Sequence, residues 1–369
     1  MDQFRNRLDI LREKGRYRAL KQGEGVDLTS NDYLGFRNHP ALRAEAVEAV
    51  ESGVGLGSGG SRLLRGNHEA HESLENFAAQ FFGYERALYF ATGFQANYAL
   101  FTTLPTRHDA VLFDSLVHAS VRDGIHAGQA KGVKIPHNDV NACEDAIKRL
   151  RGEVQQIYIA VESLYSMDGD FAPLAAFQEL ARQYGATLIV DEAHATGVSG
   201  EAGRGCASAL PRDNLIVLHA CGKALGGAGG LVCASAEIID ILVNTARPFI
   251  FSTAPPPLQA HLAQKALELC ASEEGAVRRN SLSERCEQAQ QFFGGAGSHI
   301  VPIIFGDDQR TVEIAEALQK KGFDIRAIRP PTVPEGTARL RLSLSANLDK
   351  GMLDRFFGHL APHFQDRAA

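Results

Sequence analysis

Three residues of complementary chemistry follow apolar runs in the middle of this chain. They are a carboxylate at Asp191 and an imidazole at His194 in TLIVDEAH, and an amine at Lys223 in NLIVLHACGK. A lysine amine can form an imine with an aldehyde, and an aspartate can hold a pyridine nitrogen protonated. Both apolar runs have strand length and composition. Open α/β sheets bind ligands outside the carboxyl ends of their strands, so two consecutive strands present Asp191, His194 and Lys223 to one crevice. Gly226, Gly227, Gly229 and Gly230 follow the lysine, and their lack of side chains lets the backbone pass close to a flat ligand. Singly, such an aspartate is a helix cap, such a histidine a structural residue and such a lysine a solvated loop residue; their conjunction points to a pyridoxal phosphate site.

The elements that must position these residues are legible as a repeating pattern. Apolar runs of strand length occur in RALYFA near 86, DAVLFD near 109, GVKIPH near 132, QQIYIAVES near 155, TLIVDEA near 187, NLIVLHA near 214 and GGLVCAS near 229, with helical segments between most of them. This alternation predicts a mostly parallel seven-stranded sheet covered on both faces. GGLVCAS follows NLIVLHA too closely for a helical crossover and is predicted to run antiparallel. After FIFSTAPPP at 249–257 comes a long helical stretch from Leu258 to about Phe293, then HIVPIIFG, a helix, FDIRAIRPP and RLRLSLS. That order predicts an N-terminal arm over 1–39, a large α/β domain over 40–255 and a smaller α+β domain over 256–369. GLGSGG at 55–60 fits the dinucleotide pattern G-x-G-x-x-G, but HPALRAEAVEAVESG before it reads as a helix, whereas the fingerprint needs a strand.

Composition excludes several function classes. With 369 residues, 44% hydrophobic and 22% charged, the chain has the makeup of a globular protein with room for two domains. A net charge of −6 without long basic runs argues against nucleic acid and anionic membrane as partners. No apolar run approaches spanning length, and the charged start MDQFRNRLDILREKGR lacks an apolar signal core, so a cytoplasmic location is expected. Six cysteines show no Cys-x-x-Cys spacing and read as reduced thiols. Cys221, at a buried strand end, reads as a small apolar filler.

Beyond this pattern the chain resembles the α-oxoamine synthases, a family of fold-type I, aminotransferase-like pyridoxal phosphate enzymes. SNDYLGF at 30–36, GSGGSRLLRGNHEAHESLE at 57–75, ATGFQAN at 91–97, DSLVHAS at 114–120, ESLYSMDGD at 162–170 and DEAHATG at 191–197 resemble that family's blocks in its order. The resemblance implies that pyridoxal 5'-phosphate is the cofactor, bound through Lys223, with Asp191 on its pyridine nitrogen and His118 flat against its ring. His194 and Ser166 are implied at the phenolic oxygen, and Thr92, Gly93 and Phe94 at the phosphate. Thr253 is implied to reach the phosphate of a neighbouring subunit, which makes the site that of a homodimer. Three residues before Lys223 the family carries a threonine or serine on the phosphate, and this chain has Ala220. None of these roles calls for a metal ion.

For substrate, the resemblance implies Asn31 and Arg341 at an amino acid carboxylate, and Arg329, Thr332 and Arg18 around an acyl group. Arg339 and Arg341 alternate with Leu340, so both share one side of a strand and only one need be functional. The implied reaction joins an amino acid to an acyl thioester with loss of carbon dioxide. HNDV at 137–140 and AIRPPTVPEGTARLRLSLSA at 327–346 resemble most the branch that uses L-alanine and a pimeloyl thioester, carried on acyl carrier protein or coenzyme A. Alternatives are the branch using glycine and acetyl-coenzyme A, a long-chain branch of the serine palmitoyltransferase kind, and a silent partner subunit. The presence of Lys223, Asp191, His194 and His118 favours an enzyme.

Overall fold

A computed structural model describes residues 2–365 of the chain. In chain order its strands are β1 (Val26–Asp27), β2 (Arg86–Phe90), β3 (Ala110–Asp114), β4 (Lys131–Ile135), β5 (Ile157–Glu162) and β6 (Thr187–Asp191). There follow β7 (Leu215–Ala220), β8 (Gly230–Ala234), β9 (Ile300–Gly306), β10 (Phe323–Asp324), β11 (Ala327–Ile328) and β12 (Ala338–Ser343). Two compact units arise. The larger holds 34–165 and 171–279, and the smaller holds 1–33, 166–170 and 280–369.

In the larger unit seven strands form one sheet in the order β2-β8-β7-β6-β5-β3-β4. All lie parallel except β8, which is antiparallel to both β2 and β7, as the short connection before it predicts. Successive residues of one strand feed different cores. Ile189, Ile216 and Leu218 pack with Leu100, Phe101 and Ile239, while Leu188, Val190, Leu215 and Val217 pack with Ile147, Phe177 and Leu180. A sheet buried on both faces needs this unbroken apolar content, which is why its strands read as runs. The fold is the α/β one expected, with its mostly parallel seven-stranded sheet. GLGSGG follows a helix, Pro40–Glu51, as its preceding residues predict.

The smaller unit has an antiparallel sheet of order β11-β12-β9 and a parallel pair of β1 with β10. Every residue of β12 is buried, arginines included.

The division into units differs from the expected boundaries at 39/40 and 255/256. Helix Pro257–Ala271 belongs to the larger unit, where it packs on Pro40–Glu51 and on Glu69–Phe82. The long helical stretch is also broken. It stops at Ser272, which is extended at φ −79 and ψ 175, and restarts as Glu273–Phe293. Gly275 lies so close to the preceding turn that a Cβ there would sit 2.1 Å from the Cys270 carbonyl oxygen. Residues 166–170, expected within the large domain, fall in the smaller unit.

Candidate active site

Strands β2, β3, β5, β6 and β7 point the same way, so the segments leaving their carboxyl ends meet at one edge of the sheet. They line a cavity of about 340 Å³, a size ordinary for small-molecule sites. Thr92, Gly93 and Phe94 enter after β2, His118 after β3, Asp191 and His194 at and after β6, and Ala220 and Lys223 at and after β7. Strand polarity thus brings together Asp191, His194 and Lys223, singled out by type and spacing, with Thr92, Gly93, Phe94 and His118, which the resemblance implied.

Lys223 sits in a turn closed by the Gly226 N–H on the Lys223 carbonyl at 2.8 Å and by the Gly227 N–H on the Cys221 carbonyl at 3.0 Å. Its Nζ lies 2.9 Å from His194 Nε2. A protonated amine has only donors, so in that state Nε2 is the acceptor and the imidazole proton sits on Nδ1. Asp191 is 6% exposed. Its Oδ1 accepts the Ala193 N–H at 2.9 Å and its Oδ2 accepts from Asn97 Nδ2 at 2.7 Å. Among the described residues it forms no ion pair. A buried carboxylate held only by neutral donors has its charge in reserve for a cationic ligand group.

His118 caps helix Ala119–Ala127, its Nδ1 accepting the Ser120 N–H at 3.2 Å. Burial is the main cause holding its pKa below the ordinary histidine value; Lys223 pushes the same way and Asp191 opposes. The ring is therefore neutral at physiological pH. Helix Gly93–Thr103 is capped by Thr92, whose Oγ1 accepts the Gln95 N–H at 3.0 Å. Its N-terminus, with the positive end of its dipole, faces the cavity and suits a phosphate. The helix starts hard against β8: a Cβ on Gly230 would stand 2.8 Å from the Gly93 Cα. A Cβ on Gly93 would lie 3.8 Å from the Ala220 Cβ, so residue 220 faces this helix end. His219 and Cys221 point elsewhere, His219 stacking on Phe82 at 3.6 Å.

Glu192 alternates away from the cavity. It is fully buried and accepts the Cys206 and Ala207 N–H groups at 3.0 and 2.5 Å. Burial pushes its carboxyl up to about 7.

The other expected site residues sit within their own units. Thr253 is exposed and does not line this cavity. Ser166 belongs to the smaller unit, where its carbonyl accepts Arg341 Nε at 2.5 Å. There Arg341 also donates to Ser343 Oγ at 2.6 Å and to the Tyr33 hydroxyl at 3.3 Å, and that hydroxyl donates to Asn31 Oδ1 at 2.9 Å. Arg341 and Asn31 are joined through Tyr33, a residue inside SNDYLGF to which the sequence reading gave no role. Arg339, two residues from Arg341, is neutralised by Asp168 at 2.7 Å. Arg341 is 6% exposed and has no carboxylate partner among the described residues. Arg18 donates to Thr332 Oγ1 at 3.1 Å, and Arg329 donates to the Gly15 carbonyl. Arg18 and Arg329 share a groove of about 530 Å³ in the smaller unit. Burial, then the charge of Arg18, lowers the Arg329 pKa. Asn97 and Ser120, inside ATGFQAN and DSLVHAS, were also missed; both line the cavity.

The cavity fits pyridoxal phosphate by its donor set: an amine for the aldehyde, a buried anion for the pyridine nitrogen, a helix end for the phosphate, and walls of Leu218, Ala193 and glycine for the ring. Known proteins point the same way. The model of the family described as aminotransferase class I and II matches residues 23–360. An 8-amino-7-oxononanoate synthase of Geobacter sulfurreducens is 43% identical over 376 residues, covering 96% of each chain. A serine palmitoyltransferase from S. paucimobilis, solved with a bound pyridoxal phosphate–myriocin aldimine, superposes with a TM-score of 0.87 at 26% identity, covering 97% of this chain and 96% of that one. The 8-amino-7-oxononanoate synthase of Francisella tularensis superposes with a TM-score of 0.77 at 26% identity, covering 94% and 99%. With Lys223, Asp191, His194 and His118 in one cavity and likeness running along nearly its whole length, the chain belongs to the aminotransferase class I and II family, in its α-oxoamine synthase branch.

Proposed function

We propose that this protein is a pyridoxal 5'-phosphate-dependent acyltransferase that condenses L-alanine with a pimeloyl thioester, releasing carbon dioxide and giving 8-amino-7-oxononanoate for biotin synthesis. The observation that carries this reading is the cavity that unites Lys223, His194, His118 and Asp191. The substrate assignment rests on the likeness to the Geobacter protein. When bound, pyridoxal phosphate supplies an electron sink for negative charge on the carbon next to the amino nitrogen. The remaining work falls to the chain. Lys223 holds the cofactor and, once freed by the incoming amine, takes and returns the proton at the α-carbon. His194, 2.9 Å from Nζ, orients it. Asp191 keeps the pyridine nitrogen protonated, and His118 covers the ring. Arg341 with Asn31 receives the amino acid carboxylate, and Arg18, Arg329 and Thr332 receive the acyl side.

Thr253, exposed and outside the cavity of its own chain, is assigned to the phosphate of a second copy in a homodimer. The thioester is carried on acyl carrier protein or coenzyme A. No helix among the described residues is long and apolar enough to cross a membrane, and we assign the protein to the cytoplasm.

Incubating the protein with L-alanine, glycine or L-serine against pimeloyl, acetyl and palmitoyl thioesters, and identifying products by mass, tests the reading. L-alanine with the pimeloyl thioester is expected to be the productive pair, with labelled carbon dioxide released from the alanine carboxyl group. Faster turnover of glycine with acetyl-coenzyme A, or of L-serine with the palmitoyl thioester, sinks it.

Ala220 adds a prediction. Its side chain faces the helix end assigned to the phosphate, so Ala220→Thr is expected to tighten the cofactor by about 1 kcal/mol through one added hydrogen bond, a several-fold drop in Kd on titrating apoprotein by absorbance. Unchanged or weaker binding would mean that the phosphate is met elsewhere.

A further inference from the structure

Along the cavity wall a chain of hydrogen bonds connects Asp191 to His118 through two residues without an assigned role. Asn97, on helix Gly93–Thr103, is 2% exposed, and Ser120, on helix Ala119–Ala127, is 1% exposed. Asn97 Nδ2 lies 2.7 Å from Asp191 Oδ2 and 3.0 Å from Ser120 Oγ. Ser120 Oγ lies 2.8 Å from His118 Nδ1.

The direction of every bond follows from the groups themselves. An ionised carboxylate only accepts, so the atom of Asn97 facing Asp191 must be its NH₂ group, and the amide cannot be flipped. The second hydrogen of that group then goes to Ser120 Oγ, leaving the serine hydroxyl hydrogen for His118 Nδ1. The Ser120 backbone N–H also points at Nδ1, at 3.2 Å. A nitrogen that receives two donors carries no hydrogen. Asn97 Oδ1 is buried without a partner, so the amide is placed for the two bonds of its nitrogen.

We propose that Asn97 and Ser120 are positioning residues which together fix His118 as the neutral tautomer with its proton on Nε2 and aim Oδ2 of Asp191 into the cavity. The polarity of the chain runs outward from Asn97 to both functional groups. The carboxylate assigned to the pyridine nitrogen and the imidazole assigned to the ring face are therefore set by one amide. His118 keeps a single donor, Nε2–H, on the side of the ring away from Ser120, where an oxygen of a bound molecule would meet it. This rests on the reading of Asp191 and His118 given above.

The test reads the tautomer directly. Nitrogen-15 NMR of the full-length protein labelled at its 13 histidines, with the His118 signals assigned by their loss in His118→Gln, is recorded with and without pyridoxal phosphate. An unprotonated Nδ1 and a protonated Nε2 are expected in both states; a protonated Nδ1 in wild type overturns the proposal, whatever the activity. Ser120→Ala should move part of the His118 population to the Nδ1–H form and lower kcat about tenfold with little change in KM for L-alanine. Ser120→Thr, which keeps the hydroxyl, should restore both. A Ser120→Ala protein with the wild-type tautomer overturns the proposal as well. Because the NMR reading of apoprotein needs no turnover, failure of this relay and failure of the proposed reaction remain distinguishable.

Discussion

Replacing Lys223 with alanine is expected to lower turnover by at least about 10³-fold, because one side chain both holds the cofactor and moves the α-proton. The fold should survive. Lys223 is only partly buried, in a turn closed by backbone hydrogen bonds rather than by its side chain. Thermal unfolding of apoprotein should therefore match wild type while carbon dioxide release from labelled L-alanine disappears. Borohydride treatment of the wild-type protein with pyridoxal phosphate should leave the cofactor fixed to the peptide containing Lys223. A modified peptide bearing another lysine would require a different site. Loss of fold in Lys223→Ala would contradict the turn's independence from its side chain.

The second large effect separates two arginines of β12 that the sequence treats alike. Arg341 is buried with only neutral partners, whereas Arg339 is paired with Asp168. A buried guanidinium without a counter-charge is expensive unless a ligand supplies the anion. Arg341→Lys keeps the charge but loses the planar fork that suits a carboxylate. It is expected to raise KM for L-alanine by ten- to a hundredfold, corresponding to about 1.5–3 kcal/mol for a charge-assisted hydrogen bond. Cofactor binding should be unaffected. Arg339→Ala should do the reverse, destabilising the fold by about 2 kcal/mol as Asp168 loses its partner, with KM essentially unchanged. If Arg339→Ala raises KM and Arg341→Lys does not, the carboxylate has been assigned to the wrong residue.

The larger unit and its cavity were legible in the sequence for a simple reason. A parallel sheet buried on both faces writes its strands as apolar runs, and its carboxyl ends fall on one edge, so Asp191, His194 and Lys223 could be placed together without coordinates, while His118 came only from the family resemblance. Ser272 was legible and overlooked. A serine followed by Glu273 and Glu274 is a helix start, an oxygen able to accept an N–H with acidic residues in the first turn. The contact of Asn97 with Ser120 was not legible. These residues are 23 apart and meet only because two helices pack, a fact that no local pattern carries. Nor could strand alternation choose between Arg339 and Arg341, since the choice turns on Asp168, far away in sequence. The placement of Pro257–Ala271 likewise depends on which helices receive its apolar face.

The contact of Gly230 with Gly93 bears on how finely the phosphate end of the cavity is held. Side chains hop between rotamers, whereas a strand bonded to neighbours on both sides barely moves. Because the helix rests on bare β8 backbone, its first N–H groups keep the registration of the sheet itself, and the gap to Ala220 is metered by main-chain dimensions. Residues elsewhere around the cavity can then be exchanged during drift without detuning this end. The cost of such metering is that position 230 is closed to every amino acid with a Cβ.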